Sequence, residues 1–195
     1  MARTYTLKRR AEQQAETRRR IVDAAIDLHG TIGPAATTVS MIAERAGVQR
    51  HTYYAHFPDD RSLHLACSGT ALERDPLPNA SAWREIADPA GRLRAALGAI
   101  YAWYARNAEL TACVLRDAEH HALTQEIVAL RFAPTIEEWH KVLGDGLAEE
   151  RRAMLALALS YFTWRTLVGE SRLRTDAAIE AMVRTVFLPS EAAGR

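Results

Sequence analysis

The sequence predicts an all-α protein in two unequal parts: a compact amino-terminal module of three short helices with a helix-turn-helix, and a larger carboxy-terminal helical domain. Three observations lead there. Apolar residues recur at helical spacing, period-two alternation is sustained nowhere, and Gly and Pro clusters cut the first 80 residues into short segments. A chain of 195 residues has room for a module of this size fused to a larger one. With 48% hydrophobic and 25% charged residues it has the composition of a soluble globular protein.

The first helix is read from Glu16 to Leu28, where Ile21, Ala24, Ala25 and Leu28 form one buried stripe. Gly30, Gly33 and Pro34 interrupt it. Thr37 or Thr38 then offers a hydroxyl to cap a second helix carrying Val39, Ile42, Ala43 and Ala46. Gly47 stands where a left-handed residue lets the chain turn, and Val48 can fold back on the apolar seam. A third short helix begins near Gln49, with Tyr53 and Phe57 inward and Arg50, His51, Tyr54 and part of Thr52 outward. Pro58 and the Asp59-Asp60 pair end it and start a connecting helix over 61–74. The breaker-rich run Asp75 to Asn79 follows, so the domains are expected at 1–60, 61–74 and 75–195. Beyond Pro89 long helices are expected, with breaks near Asn107, at Asp117 to His121, at Gly144 to Gly146 and at Ser171 to Thr175.

The formal charge of +1 conceals an asymmetry. Residues 1–20 carry seven Lys or Arg, Arg18 among them, against Glu12 and Glu16, a net of +5, which leaves −4 on the other 175 residues. A basic arm on a near-neutral body suits contact with a polyanion through counterion release. Cys67 and Cys113 are far apart and outside any CxxC, which suggests neither a disulfide framework nor a zinc site and points to a reducing cytoplasm. No export signal or membrane span is expected, since the longest apolar stretch, 153–164, is too short.

The run from Thr37 to Pro58, TTVSMIAERAGVQRHTYYAHFP, resembles the signature of the TetR family: a Thr pair, a short helix with Ile-Ala, a Gly-Val turn, and a recognition helix ending in Tyr-x-His-Phe. The resemblance covers roughly residues 12–70 and implies a homodimeric regulator that binds double-stranded DNA at a palindromic operator. By that similarity Thr38, Ser40, Tyr54 and His56 hold the phosphate backbone, while Arg50, His51 and Thr52 lie nearest the bases, with Gln49 at the helix start. The residue chemistry agrees, because Arg, His, Thr and Tyr on one outward face can address the donors and acceptors of the major groove. The chain departs from the family at Ser40, where a basic residue is common, at Asp60, where a Lys is common, and at His51, where a small residue is usual. Arg61 and the basic arm are expected to compensate.

For the carboxy-terminal part the resemblance implies an effector cavity and a dimer interface through the last two long helices. The segment Met154 to Leu167 is apolar on most faces, and Ile179, Met182, Val183, Val186 and Phe187 give the last helix a matching stripe. The aromatic and polar mixture of Tyr101, Tyr104, Trp139 and Trp164 with Cys113, Asp117 and His121 supplies the candidate ligand residues. No cofactor and no metal is expected. An enzyme is a weaker reading, since no HExxH, GxSxG, Walker loop or GxGxxG occurs and only His120-His121 beside Asp117 suggests proton or metal chemistry. A nonspecific architectural DNA protein requires a large basic surface, which the −4 balance of residues 21–195 does not supply.

Overall fold

The computed structural model describes the backbone of residues 2–187 and the side chains of residues 8–187. The elements are α1 (Ala2–Thr31), α2 (Val39–Ala46), α3 (Arg50–His56), α4 (Asp60–Arg74), α5 (Ser81–Arg84), α6 (Pro89–Arg106), α7 (Ala108–Ala118), α8 (Ala122–Leu143), α9 (Glu149–Leu159), α10 (Tyr161–Trp164), a π-helical turn (Arg165–Glu170) and α11 (Thr175–Phe187). No strand occurs among the described residues. None of these helices is long and apolar enough to cross a membrane.

The breaks fall where the sequence places them, with two exceptions. The first helix starts far ahead of Glu16, because 8–20 holds no Gly or Pro and carries good helix formers such as Ala11, Gln13 and Ala15. The apolar segment from Met154 to Leu167 is broken rather than one helix. Ser160 adopts an extended backbone (φ −70°, ψ 135°) that closes α9, and its hydroxyl accepts from the Phe162 N–H to start α10.

Contacts divide the chain into two compact units that do not follow the linear order. The first comprises residues up to 76 together with 108–131, the second 77–107 and 132 onward, so α8 contributes to both. This grouping differs from the expected single domain over 75–195: α7 packs on α1, and so it belongs with the amino-terminal module.

In the first unit, Ile21, Ala25 and Leu28 of α1, Ile42 and Ala46 of α2, Tyr53, Phe57, and Leu63 and Cys67 of α4 form one buried cluster. Burying each large apolar side chain contributes about 1.5–3 kcal/mol. Asp117 at the end of α7 is buried and fastens the loop between α1 and α2. Its carboxylate accepts from the Ala35 N–H at 2.9 Å and from Arg116 Nε at 2.8 Å, while Arg116 Nη2 donates to the Ile32 carbonyl at 2.9 Å. Burial works to raise the Asp117 pKa, but these donors outweigh it and hold the carboxyl below its ordinary value. Gly33 in that loop has φ +97°, and a Cβ there would stand 2.3 Å from both Asp117 Oδ2 and Arg116 Nη2.

A histidine cluster joins α1, α4 and the α7–α8 junction. The His29 and His64 rings are 5.1 Å apart, those of His64 and His121 are 6.2 Å apart, and Cys67 Sγ lies 3.6 Å from His29 Nδ1. Burial, reinforced by His64, lowers the His29 pKa to about 4, and burial lowers that of His64 as well. Among the described residues no three His, Cys, Asp or Glu side chains are arranged to hold a metal ion.

The second unit is built on α6, which Asp88 caps by accepting from the Gly91 N–H at 2.8 Å, with Pro89 in its first turn. Leu93, Leu97 and Ile100 of α6 are fully buried, as are Leu155 and Ala158 of α9 and Ala178 of α11. The last carbonyls of α9, left without intrahelical partners by the break at Ser160, are taken by two phenols. Tyr101 donates to the Ala158 carbonyl at 2.9 Å and Tyr104 to the Leu159 carbonyl at 2.7 Å.

Candidate nucleic-acid interface

The helix-turn-helix is assembled from local signals. Thr38, extended at φ −105° and ψ 155°, caps α2 by accepting from the Met41 N–H at 3.3 Å, an interaction that contributes about 1 kcal/mol. At the other end Gly47 is left-handed (φ 63°, ψ 40°), with its own N–H on the Glu44 carbonyl and that of Val48 on the Ala43 carbonyl. That pattern reverses the chain in two residues and delivers Gln49 as the extended residue before α3.

Arg20 of α1 reinforces the turn. Its guanidinium donates to the carbonyls of Ala46 and Gly47, placing a cation on the negative end of the α2 dipole. In the sequence Arg20 is only one of the seven basic residues of positions 1–20. Its partners lie 26 and 27 residues away, and no short-range pattern announces them.

Along α3 the two faces separate cleanly. Tyr53 and Phe57 are buried against α1, α2 and α4, whereas Arg50 and His51 are exposed, Thr52 is half-buried and Tyr54 is 47% exposed. Tyr54 stands edge-on to Tyr53 at 5.3 Å between ring centroids, which positions its phenol outside the core. Tyr53 is 1% exposed and packs inside the module, and this burial, aided by Asp60, raises its pKa to about 12. Thr38, Ser40 and Gln49 are exposed and His56 is half-buried. Eight of the expected contact residues thus lie on α2, α3 and their caps, on the outer side of one module.

Arg18, the ninth, lies with its guanidinium 4.6 Å from the centroid of the Phe57 ring, at the end of α3. Arg61, expected to compensate for Asp60, is instead paired with Glu126 at 2.8 Å. Asp59 caps α4 by accepting from the Ser62 N–H at 2.7 Å. The acidic pair therefore serves the start of α4, and Arg61 is directed toward α8 rather than toward the recognition helix.

The seven candidate ligand residues divide between the two units. Tyr101, Tyr104, Trp139 and Trp164 belong to the second unit and Cys113, Asp117 and His121 to the first. Most have structural employment. The phenols clasp the end of α9, Trp139 Nε1 donates to the Pro78 carbonyl at 2.8 Å, and Trp164 packs on Tyr104 and Tyr161. Cys113 Sγ reaches the Gly30 carbonyl at 3.5 Å, Asp117 holds the α1–α2 loop, and His121 Nδ1 pairs with the Thr124 hydroxyl at 2.7 Å. Tyr101, Trp139 and Cys113 find their partners 57, 61 and 83 residues away, whereas His121 finds Thr124 three residues on.

Comparison with known proteins agrees with this geometry. The family model described as bacterial regulatory proteins, tetR family, matches residues 21–67, the stretch from the buried part of α1 to the middle of α4. The chain is 25% identical to the HTH-type transcriptional repressor KstR of Mycolicibacterium smegmatis over 196 residues, covering 92% of this chain and 93% of that protein. The fold is shared with a crystal structure of a HlyIIR mutant (TM-score 0.68, 15% identity, 90% of this chain and 100% of the other). It is also shared with that of AibR in complex with isovaleryl coenzyme A and operator DNA (TM-score 0.63, 19% identity, 89% and 100%). With an all-helical fold and a helix-turn-helix built on Thr38, Gly47 and Tyr53, this chain is similar over residues 21–67 to the bacterial regulatory proteins of the tetR family.

Proposed function

We propose that the chain is a homodimeric repressor that reads a palindromic operator with α3 and leaves it when a small molecule binds the larger helical part. The observation that carries the reading is the division of α3: Tyr53 and Phe57 anchor the helix while Arg50, His51 and Tyr54 project from the module. Arg50, His51 and Thr52 are assigned to base edges, and Thr38, Ser40, Gln49, Tyr54, His56 and Arg18 to phosphates, which set register without carrying sequence information. A two-fold axis would present the two recognition helices about 34 Å apart, in successive turns of the major groove. Support for the repressor role comes from KstR, and support for joint control by operator and ligand from AibR.

The dimer surface is assigned to α9 through α11. Much of the apolar excess there is spent internally, since Leu155, Leu159, Tyr161, Trp164, Ile179, Val183 and Val186 are buried within the unit. What remains for a partner centres on Leu157 and Phe162, both more than 40% exposed, with Met182 and Phe187 half-buried. Sedimentation of the full chain is expected to give a dimer at micromolar concentration; a monomer removes this assignment. In the second unit, an effector that reaches Tyr101, Tyr104 or Trp139 meets ring faces, because their polar hydrogens are already donated to carbonyls. It releases DNA only to the extent that it binds the DNA-incompetent state more tightly. A cytoplasmic location and the absence of a catalytic role belong to the same reading.

The test begins with selection of bound duplexes from random DNA. Arg50→Ala is expected to lower the ratio of operator to nonspecific affinity by roughly 5- to 150-fold, the worth of one bidentate base contact. An unchanged ratio would remove Arg50 from base readout and, with it, the proposed docking of α3.

A further inference from the structure

The sequence suggests a basic arm, and the structure makes it a helical continuation of α1 whose charges are sorted by face. Counting 3.6 residues per turn, the stripe that buries Ile21, Ala25 and Leu28 runs backward through Arg18, Gln14 and Arg10. Residues 8–16 are all exposed, so this face leaves the core, and the only apolar side chain on it from residue 8 to residue 18 is the small Ala11. The acidic groups lie on the opposite side of the same helix. There Glu12 and Glu16 alternate with Lys8 and Arg19, and Arg19 is paired with Glu16 at 2.7 Å. The forward stripe is therefore cationic and acid-free, whereas on the rear face Glu12 and Glu16 offset two of the three cations Lys8, Arg9 and Arg19.

Two contacts fix the start of this projection against the reading head. Arg18 lies on the ring of Phe57, the residue that ends α3, and Arg20 holds the carbonyls that end α2. From Arg18 to Arg10 the helix rises about 12 Å, the length of three to four base pairs. Resting on the major-groove reading of α3, we infer that the Arg10–Gln14–Arg18 stripe is a second DNA-binding surface, occupied by the sugar-phosphate backbone of duplex immediately outside the half-site. It makes affinity, but not base preference, depend on operator length. Charge complementarity and continuity with the recognition helix single out this occupant. An acidic protein segment would be matched by the charge alone, and DNA-independent binding of one would be the competing result.

The experiment compares two duplexes carrying the selected operator, one trimmed at the outer edge of both half-sites and one extended by eight base pairs of arbitrary sequence on each side. Wild-type chain is expected to bind the extended duplex at least tenfold more tightly at 0.1 M salt, with a steeper salt dependence. Arg10→Glu is expected to abolish that gain while leaving the trimmed duplex bound as by wild type. Gln13→Pro, which keeps every charge but breaks the helix between Arg10 and the core, is expected to do the same, with little loss in thermal stability because residues 8–16 are not part of the core. Equal affinity of wild type for the two duplexes, or equal weakening of both by Arg10→Glu, overturns the inference. Retention of the gain in Gln13→Pro also overturns it, since a flexible arm would then suffice. Arg50→Ala separates the two readings: if it leaves specificity unchanged on both duplexes, the α3 assignment has failed, whatever the flanks do.

Discussion

Gly33→Ala is expected to destabilise the protein by about 3 kcal/mol or more, lowering its melting temperature by roughly 6–12 °C for a chain of this size. Two costs combine. A side chain at φ +97° occupies a region that L residues rarely adopt. The added Cβ would also overlap Asp117 Oδ2 and Arg116 Nη2 at 2.3 Å, so the buried carboxylate must give up its bond to Ala35 or the loop must withdraw from α7. The same loop carries Thr38, the cap of α2, so operator affinity is expected to fall along with stability. Urea unfolding and a binding titration on one preparation check both. A variant melting within 2 °C of wild type would show that the loop is not held by Asp117 in solution.

Acid is expected to unfold the first unit earlier than carboxylate titration alone would require. An unfolded chain protonates His29 near pH 6.5, but in the folded chain burial and the neighbouring His64 delay this to about pH 4. The unfolded state therefore binds more protons through that window. His29 contributes its full stabilisation above about pH 6.5 and loses it progressively as the pH falls toward 4, about 3 kcal/mol in all. His64, lowered for the same principal reason, adds in the same direction, and Asp117, whose carboxyl is depressed, adds its loss at still lower pH. The attraction of Asp117 for a proton on His29 opposes this, whereas His121 acts with His64. Urea midpoints measured from pH 7.5 to pH 4.5 should fall steeply for wild type and less steeply for His29→Gln. Parallel curves for the two proteins would show that His29 is not the group responsible.

What could be read in the sequence was what is encoded by neighbours. Thr38 as cap, Gly47 as the left-handed turn residue, and the inward Tyr53 and Phe57 all depend on residues within five positions, and the structure places each as expected. The connecting helix was legible for the same reason, since Asp59 caps it locally. The groups that lock these elements were not legible. Arg20 meets its carbonyls across 26 and 27 residues, Tyr101 reaches Ala158 across 57, and Asp117 reaches Ala35 across 82. Such pairings follow from the packed fold rather than from any local pattern. The intramolecular partners of Tyr101, Tyr104 and Asp117 are for that reason invisible in the sequence. Ser160 shows the converse case, in which one hydroxyl with a favourable local bond interrupts a run whose apolar periodicity argued for continuity.

Arg20 has a consequence for how the regulator responds. With its guanidinium hooked over the last carbonyls of α2 and the turn after it, and Arg45 of α2 tied back to Asp27, α2 is fastened to α1 at two points. The turn between α2 and α3 is then not a joint. A signal that repositions α3 at this turn has to release Arg20 from those carbonyls first.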